Sequence, residues 1–220
     1  MRAMLKADLV ESFPVHVAAK GSAPPPLSGL VVLDFTHFVA GPFATMMMAD
    51  YGADVIKIEA PGGGLLRRLD PFAEDRPHID HGAYHLAIDT GKRSVVLDLD
   101  TTSGLEVLSR LAEGAQLAIV EAPAAQAKQL QRILGAAGTS VVTITAHGLD
   151  GPFAERTEND TSTFAWSTRM HLHAIAGRPP LRYGPYIPAM QVGGTAAAVG
   201  AATLWSMEHE GERRDIEISA

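Results

Sequence analysis

The sequence predicts an α/β fold: a parallel or mostly parallel sheet with helices on both faces. Three observations lead there. Apolar runs of strand length alternate with helix-length segments through most of the 220 residues. The runs are continuously apolar rather than alternating, which suits strands covered on both faces. Turn and cap residues separate them, notably Gly41-Pro42, Gly52 and Gly114. Repeated βαβ units take right-handed crossovers, and that makes neighbouring strands parallel.

Each element has its own signal. "GLVVLDF" (29–35) reads as the first strand. Gly41-Pro42 opens a helix, because a first-turn proline loses no intrahelical hydrogen bond. Ala44, Met47, Met48 and Tyr51 follow at helical spacing, so one face is apolar. "DVIKIE" (54–59) is the second strand, and a loop rich in Gly, Pro, Asp and His runs over 61–84. "SVVLDL" (94–99) is the third strand. Thr101 or Thr102 caps a helix carrying Leu105, Leu108, Leu111 and Ala112. "QLAIV" (116–120), a helix over 126–134 and "SVVTITA" (140–146) continue the alternation. Ligands in such sheets bind at the carboxyl ends of strands, so the segments after Phe35, Glu59, Val120 and Ala146 are the places to examine.

The final third differs. One helix is expected over 161–174, then the irregular "GRPPLRYGPYIP". A charge-free stretch at 187–207 is long enough to span a bilayer, but it is mostly Ala and Gly, which favours a buried helix. Gly194, Ala198 and Ala202 are its expected packing positions. "RDIEISA" reads as a last strand, and a chain ending on a core-like strand reads as part of something larger.

Bulk properties narrow the function classes. The net charge is −7 with no basic block, which argues against nucleic acid or an anionic membrane as partner. There is no cysteine, so disulfides, thiolate chemistry and cysteine–zinc sites are excluded. Residues 1–26 are mixed and proline-ended; Asp8 and Glu11 interrupt any apolar run, so they read as a flexible extension rather than a secretory signal.

The common phosphate fingerprints are missing. There is no G-x-x-x-x-G-K-[ST], no G-x-G-x-x-G after the first strand and no G-x-S-x-G elbow. "APGGG" reads as a mobile loop. "HIDHGAYH" groups His78, Asp80, His81 and His85, but in no standard zinc spacing, so no metal is assigned. Lys92 and Arg93 in "GKRS" either meet an anionic ligand or are solvated at a strand entrance. Asp160 stands at the start of a helix, where a carboxylate serves as an ordinary N-cap or as a poised functional group.

Taken in order, these segments resemble the class III CoA-transferases, a family that includes formyl-CoA:oxalate and crotonobetainyl-CoA:carnitine CoA-transferases and the α-methylacyl-CoA racemases. "PLSGLVVLDFTHFVAGPFATMMMADYGADVIKIEAPGGG" is similar to the family's opening strand, A-G-P turn and G-A-[DN]-V-I-K-[IV]-E strand. "GKRSVVLDLDTTSG", "GRPPLRYG" and "RRDIEISA" resemble later landmarks, so the likeness runs from about Pro26 to the last residue. It implies a Rossmann-like large domain over 27–220, without the family's small domain and C-terminal return segment. The implied substrates are an acyl-CoA and a carboxylic acid, with CoA a substrate rather than a tightly bound cofactor. Phe38, Val39, Ala40 and Leu97 are the implied CoA-lining positions. "DTSTFAWST" keeps Asp160, Ala165 and Ser167 in step with the family's catalytic segment, which implies Asp160 as the nucleophile. A cytoplasmic homodimer or paired subunit is also implied.

The chain departs from the family pattern at identifiable places. Ala60, Glu121-Ala122 and Gln129 stand where the family carries an arginine, Asn-Phe and a second arginine. Losing cations weakens phosphate recognition. A degenerate, non-catalytic subunit is therefore the alternative. A racemase fits less well, because Asn159 and Gln191 replace the residues that would move an α-proton.

Overall fold

The computed structural model describes residues 23–220, so most of the expected 1–26 extension lies outside the described residues. The chain order is β1 (Val31–Phe35), α1 (Ala40–Asp50), β2 (Asp54–Glu59), α2 (Ala83–Ile88), β3 (Arg93–Val96), α3 (Thr102–Ala112) and β4 (Leu117–Glu121). Then come α4 (Ala124–Ala136), β5 (Ser140–Thr145), α5 (Asp160–Trp166), α6 (Arg169–Leu172), α7 (Ile187–Glu210) and β6 (Ile216–Ser219). Six strands form one sheet in the order β3-β2-β1-β4-β5-β6. Every pairing is parallel. This is the doubly wound Rossmann order, which reverses direction between β1 and β4.

Continuous apolar strands are needed because the sheet has a core on each side. Leu33, Phe35, Ala118, Val120 and Val141 pack with Leu108, Leu130 and Leu134 of α3 and α4. Their strand neighbours Val32, Leu117, Ile119 and Val142 point the other way, onto Ala44 and Met48 of α1 and Ala196 and Leu204 of α7. Each fully buried Val, Leu, Ile, Phe or Met among them stabilises the fold by about 1.5–3 kcal/mol relative to exposure. Tyr51, expected on the apolar face of α1, is 56 % exposed, because the helix ends before it reaches the sheet.

Helix α7 is long and apolar enough to cross a membrane by length and composition, and here it packs on α1 and the sheet. The expected small-residue face was displaced by one residue. Gly193 and Gly200 face α1 and the sheet: a Cβ on Gly193 would lie 2.4 Å from the Ala40 carbonyl oxygen, and one on Gly200 would lie 2.3 Å from Met48 Cε. Ala198 and Ala202 are exposed. One residue is 100° around a helix, so an Ala/Gly-rich stretch leaves its facing ambiguous.

Two other expectations change. The single helix at 161–174 is two short ones, α5 and α6, broken where Thr168 takes a left-handed φ of 62°. The 61–84 loop contains 3₁₀ turns at Leu65–Arg68 and Ala73–Asp75, and α2 begins before it ends. Thr101, one of the two candidate caps, caps α3 by accepting the Gly104 N–H at 3.1 Å.

Candidate active site at the strand switch

The crevice where the strand order reverses is occupied by a cavity of about 320 Å³. Its floor is apolar: Phe38, Ala122, Pro123, Ile144, Ala154 and Val192 line it. Its ionisable lining residues are His37, Glu121, Glu155, Arg156, Glu158 and Asp160.

Asp160 reaches this cavity because its neighbour does the capping. Asn159, not Asp160, is the N-cap of α5; its Oδ1 accepts the Thr161 and Ser162 N–H groups at 3.0 and 3.1 Å. Ser162 Oγ returns a bond to the Asn159 N–H at 2.9 Å, completing a capping box. The ordinary-cap reading of Asp160 is thereby overturned. Its Oδ2 accepts the Tyr186 N–H at 3.3 Å. Its Oδ1 is buried with no hydrogen-bond partner among the described residues. An orphaned buried acceptor is costly, and in a native fold it calls for a reason.

Tyr186 links Asp160 to the turn after β1. It adopts a left-handed φ of 64°, unusual for a bulky residue. Its ring stands edge-on to Phe38 and to Tyr84, each at 5.1 Å between centroids. Nothing in "GRPPLRYGPYIP" singled it out, since the contact joins positions far apart in the chain.

The structure brings three of the five implied site residues together: Phe38, Ala40 and Asp160 line the same cavity. Val39 is fully buried against Leu66 and Ile88, and Leu97 lies in the α3/α4 core. Any part these two play at a ligand falls to their backbone.

Beneath the β1 turn lies a buried ionic cluster that sequence reasoning missed. Lys92 Nζ donates to Asp34 Oδ2 at 3.1 Å, Asp89 Oδ1 at 2.9 Å and the Pro42 carbonyl at 2.9 Å. Lys57 Nζ lies 3.5 Å from Asp34 and 3.3 Å from Asp89, and donates to the Thr36 carbonyl at 3.2 Å. Thr45 Oγ1 donates to Asp34 at 2.6 Å. Burial alone would raise the Asp34 pKa, but Lys57 and Lys92 outweigh it and hold the carboxyl well below the usual range. Lys92 is thus neither solvated nor free for a ligand, and Arg93 is paired with Asp54. The available signal was a charge inside each apolar run, as in "VLDF" and "IKIE".

The glycine loop after β2 is also held. Glu59 accepts from Gly64 N–H at 2.9 Å, from Arg67 Nε and Nη2 at 2.7 and 2.8 Å, and from Ser94 Oγ at 2.7 Å. Burial would raise its pKa, but these donors hold it at about 2. His78, Asp80 and His81 stay together, with the two imidazole rings 4.8 Å apart, while His85 pairs with Asp89 at 2.9 Å and Asp80 accepts from Arg67 at 3.0 Å. Among the described residues no three such side chains converge as metal ligands.

A six-stranded parallel sheet with a cavity at its switch point places the chain among the doubly wound α/β proteins. The model of "CoA-transferase family III" matches residues 27–220, and the chain belongs to that family. It is 44% identical over 93 residues to a succinyl-CoA:mesaconate CoA-transferase of Haloarcula hispanica, covering 42% of this chain and 24% of that one. It is 32% identical over 206 residues to a succinate–glutarate CoA-transferase of Agrobacterium fabrum, covering 89% and 51%. Among solved structures, it superposes on a CAIB/BAIF family protein from Brucella suis with a TM-score of 0.79 at 28% identity, covering 88% of this chain and 53% of that one. Rv3272 from Mycobacterium tuberculosis gives the same TM-score and identity, with 90% and 55% covered. The chain therefore spans about half the length, or less, of these relatives.

Proposed function

We propose that this chain carries the nucleophile and part of the CoA site of a cytoplasmic CoA-transferase, acting as a dimer or paired subunit. The observation that carries the reading is that Asp160, a residue lining the switch-point cavity, keeps a buried Oδ1 with no hydrogen-bond partner among the described residues. A desolvated carboxylate is an adequate nucleophile toward a thioester and a good leaving group from an anhydride.

In the first step a carboxylate oxygen of Asp160 attacks the thioester carbon. The C–S bond breaks, leaving a mixed anhydride and CoA thiolate. The thiolate then attacks the aspartyl carbonyl, releasing the donor's carboxylate and forming an aspartyl-CoA thioester. The acceptor carboxylate attacks that thioester, forming a new anhydride and thiolate. Attack of the thiolate on the acceptor carbonyl yields the new acyl-CoA and regenerates Asp160. No net proton or electron is consumed, and no resident cofactor is needed. The Tyr186 N–H, bonded to Oδ2, would hold the carboxylate in place.

A specific observation favours a second reading. The cationic residues expected near CoA are Ala60 and Gln129, and Glu121 adds a carboxylate. A degenerate subunit that binds a paired chain would tolerate all three. One relative, from Thauera aromatica, is itself named as a subunit, BbsE, of a succinyl-CoA:(R)-benzylsuccinate CoA-transferase. The racemase reading has no such support. Asn159 is committed to capping, and the Gln191 side chain accepts from Arg169.

Calorimetric titration with CoA and an acyl-CoA, followed by intact-mass spectrometry, decides between them. A working site gives binding and a covalent acyl or CoA adduct that Asp160→Ala abolishes. Absence of both binding and adduct at millimolar ligand sinks the catalytic reading.

A further inference from the structure

Resting on the reading of Asp160 as nucleophile, we infer that Tyr84 and Tyr186 are positioning residues: their stacked rings fix the backbone whose N–H holds the Asp160 carboxylate. Tyr186 immediately precedes α7 and takes φ 64° and ψ 6°, in the left-handed region. A Cβ makes that region unfavourable, and a bulky side chain is rare there. Among the described residues only Glu74, Asp75 and Thr168 share it without being glycine, and none of them is aromatic. Such a conformation persists only where its surroundings over-determine it. Glycine would adopt it freely, so the tyrosine ring has to offset what its Cβ costs.

The ring is held from two sides. It meets Phe38 in the turn after β1 and Tyr84 in α2, both at 5.1 Å between centroids, with interplanar angles of 88° and 86°. Edge-to-face pairs have a preferred geometry, because the positive rim of one ring seeks the negative face of the other. All three rings pack on the buried Val39, Leu66 and Ile88. Turning the Tyr186 backbone out of the left-handed region would pull its ring away from both neighbours. Held this way, the Tyr186 N–H donates to Asp160 Oδ2 at 3.3 Å. A bond of that length lies at the long end of the range, so it depends on how firmly its donor is kept in place. It is also the one hydrogen bond to the Asp160 side chain among the described residues, since Oδ1 has no partner there. Phe38 and Asp160 both line the cavity, so Tyr186 ties two of its walls together. Neither tyrosine lines it, so replacing either ring removes no contact with a ligand there.

Two measurements on the full chain test this, in wild type, Tyr84→Ala, Tyr84→Phe and Asp160→Ala. The first is hydrogen exchange of the Tyr186 amide by NMR, taken relative to Val120, which is buried in β4 and reports global unfolding. Relative protection should fall by about tenfold or more in Asp160→Ala, which removes the acceptor, and in Tyr84→Ala, which removes half of the stack. The second is the rate of adduct formation from butyryl-CoA, with calorimetric affinity for CoA beside it. Tyr84→Ala should slow the adduct by roughly tenfold and leave CoA affinity within about twofold. Tyr84→Phe, which keeps the ring, should match wild type in both measurements. An unprotected Tyr186 amide in wild type, or equal relative protection in wild type and Tyr84→Ala, would overturn the inference. So would an undiminished adduct rate in Tyr84→Ala, or a CoA affinity that falls in step with the rate, since either outcome reduces the rings to structural packing. Absence of any adduct from wild type would overturn the Asp160 reading itself, and this inference with it.

Discussion

Asn159 and Asp160 show how two adjacent polar residues divide one task. A helix start needs a side-chain acceptor for its free N–H groups, and either residue type serves. Asn159 takes that role with both of its capping bonds. Asp160 is thereby released from capping; it lines the cavity and keeps one buried oxygen without a partner among the described residues. Glu59 illustrates the opposite use of a carboxylate, with every lone pair assigned to the glycine loop, Arg67 and Ser94. Its folded-state pKa of about 2 lies below the ordinary 4.5, so the unfolded chain binds its proton more readily. The stabilisation is fully present above pH 4.5 and is lost as pH falls toward 2. Thermal melting of Glu59→Gln against wild type should show a gap at neutral pH that narrows through that acid window. A gap independent of pH would mean that Glu59 acts through packing alone.

At the level of elements, α7 is the clearest case of geometry that composition leaves open. Its glycines allow two helices to approach until Gly193 lies under the Ala40 carbonyl and Gly200 under Met48. Replacing Gly193 by Leu forces the helix off α1, the same helix that begins at the turn carrying Phe38 and Ala40. Overpacking of this kind costs about 1–3 kcal/mol or more. Ala198→Leu, one turn further on and facing solvent, should stay within about 0.5 kcal/mol of wild type. Urea midpoints of the two variants check the assignment; equal losses would contradict the facing of α7. The α5–α6 break has a similar logic. Thr168 turns left-handed and ends the helical run, while Asn159 and Asp160 at the other end of α5 line the cavity.

The whole molecule depends on the ionic cluster under the switch point. Asp34 on β1, Lys57 on β2, Asp89 after α2 and Lys92 before β3 meet in one buried site with Thr36 and Thr45. It bolts three strand connections to the turn that carries Phe38 and Ala40. Removing one cation strands a buried carboxylate, so Lys92→Met should cost about 3–5 kcal/mol of unfolding free energy. Adding Asp89→Asn should restore part of the loss, because the charge balance returns. A single variant costing under about 1 kcal/mol would show the cluster to be marginal, as exposed pairs are.

Much of this was legible in the chain itself. The alternation of elements, the parallel sheet, the family and the position of Asp160 all follow from local patterns. Apolar runs, turn residues and motif order act over a few residues and survive without knowledge of partners. What the sequence determined by itself was therefore the fold class, the family and the short list of candidate residues. Only the tertiary structure decided which of them meet. Val39 and Leu97 turned into cores, Lys92 into an ion cluster, and Glu121 onto the amino end of α1. Facing and charge pairing depend on contacts between residues tens of positions apart, and no local periodicity encodes those.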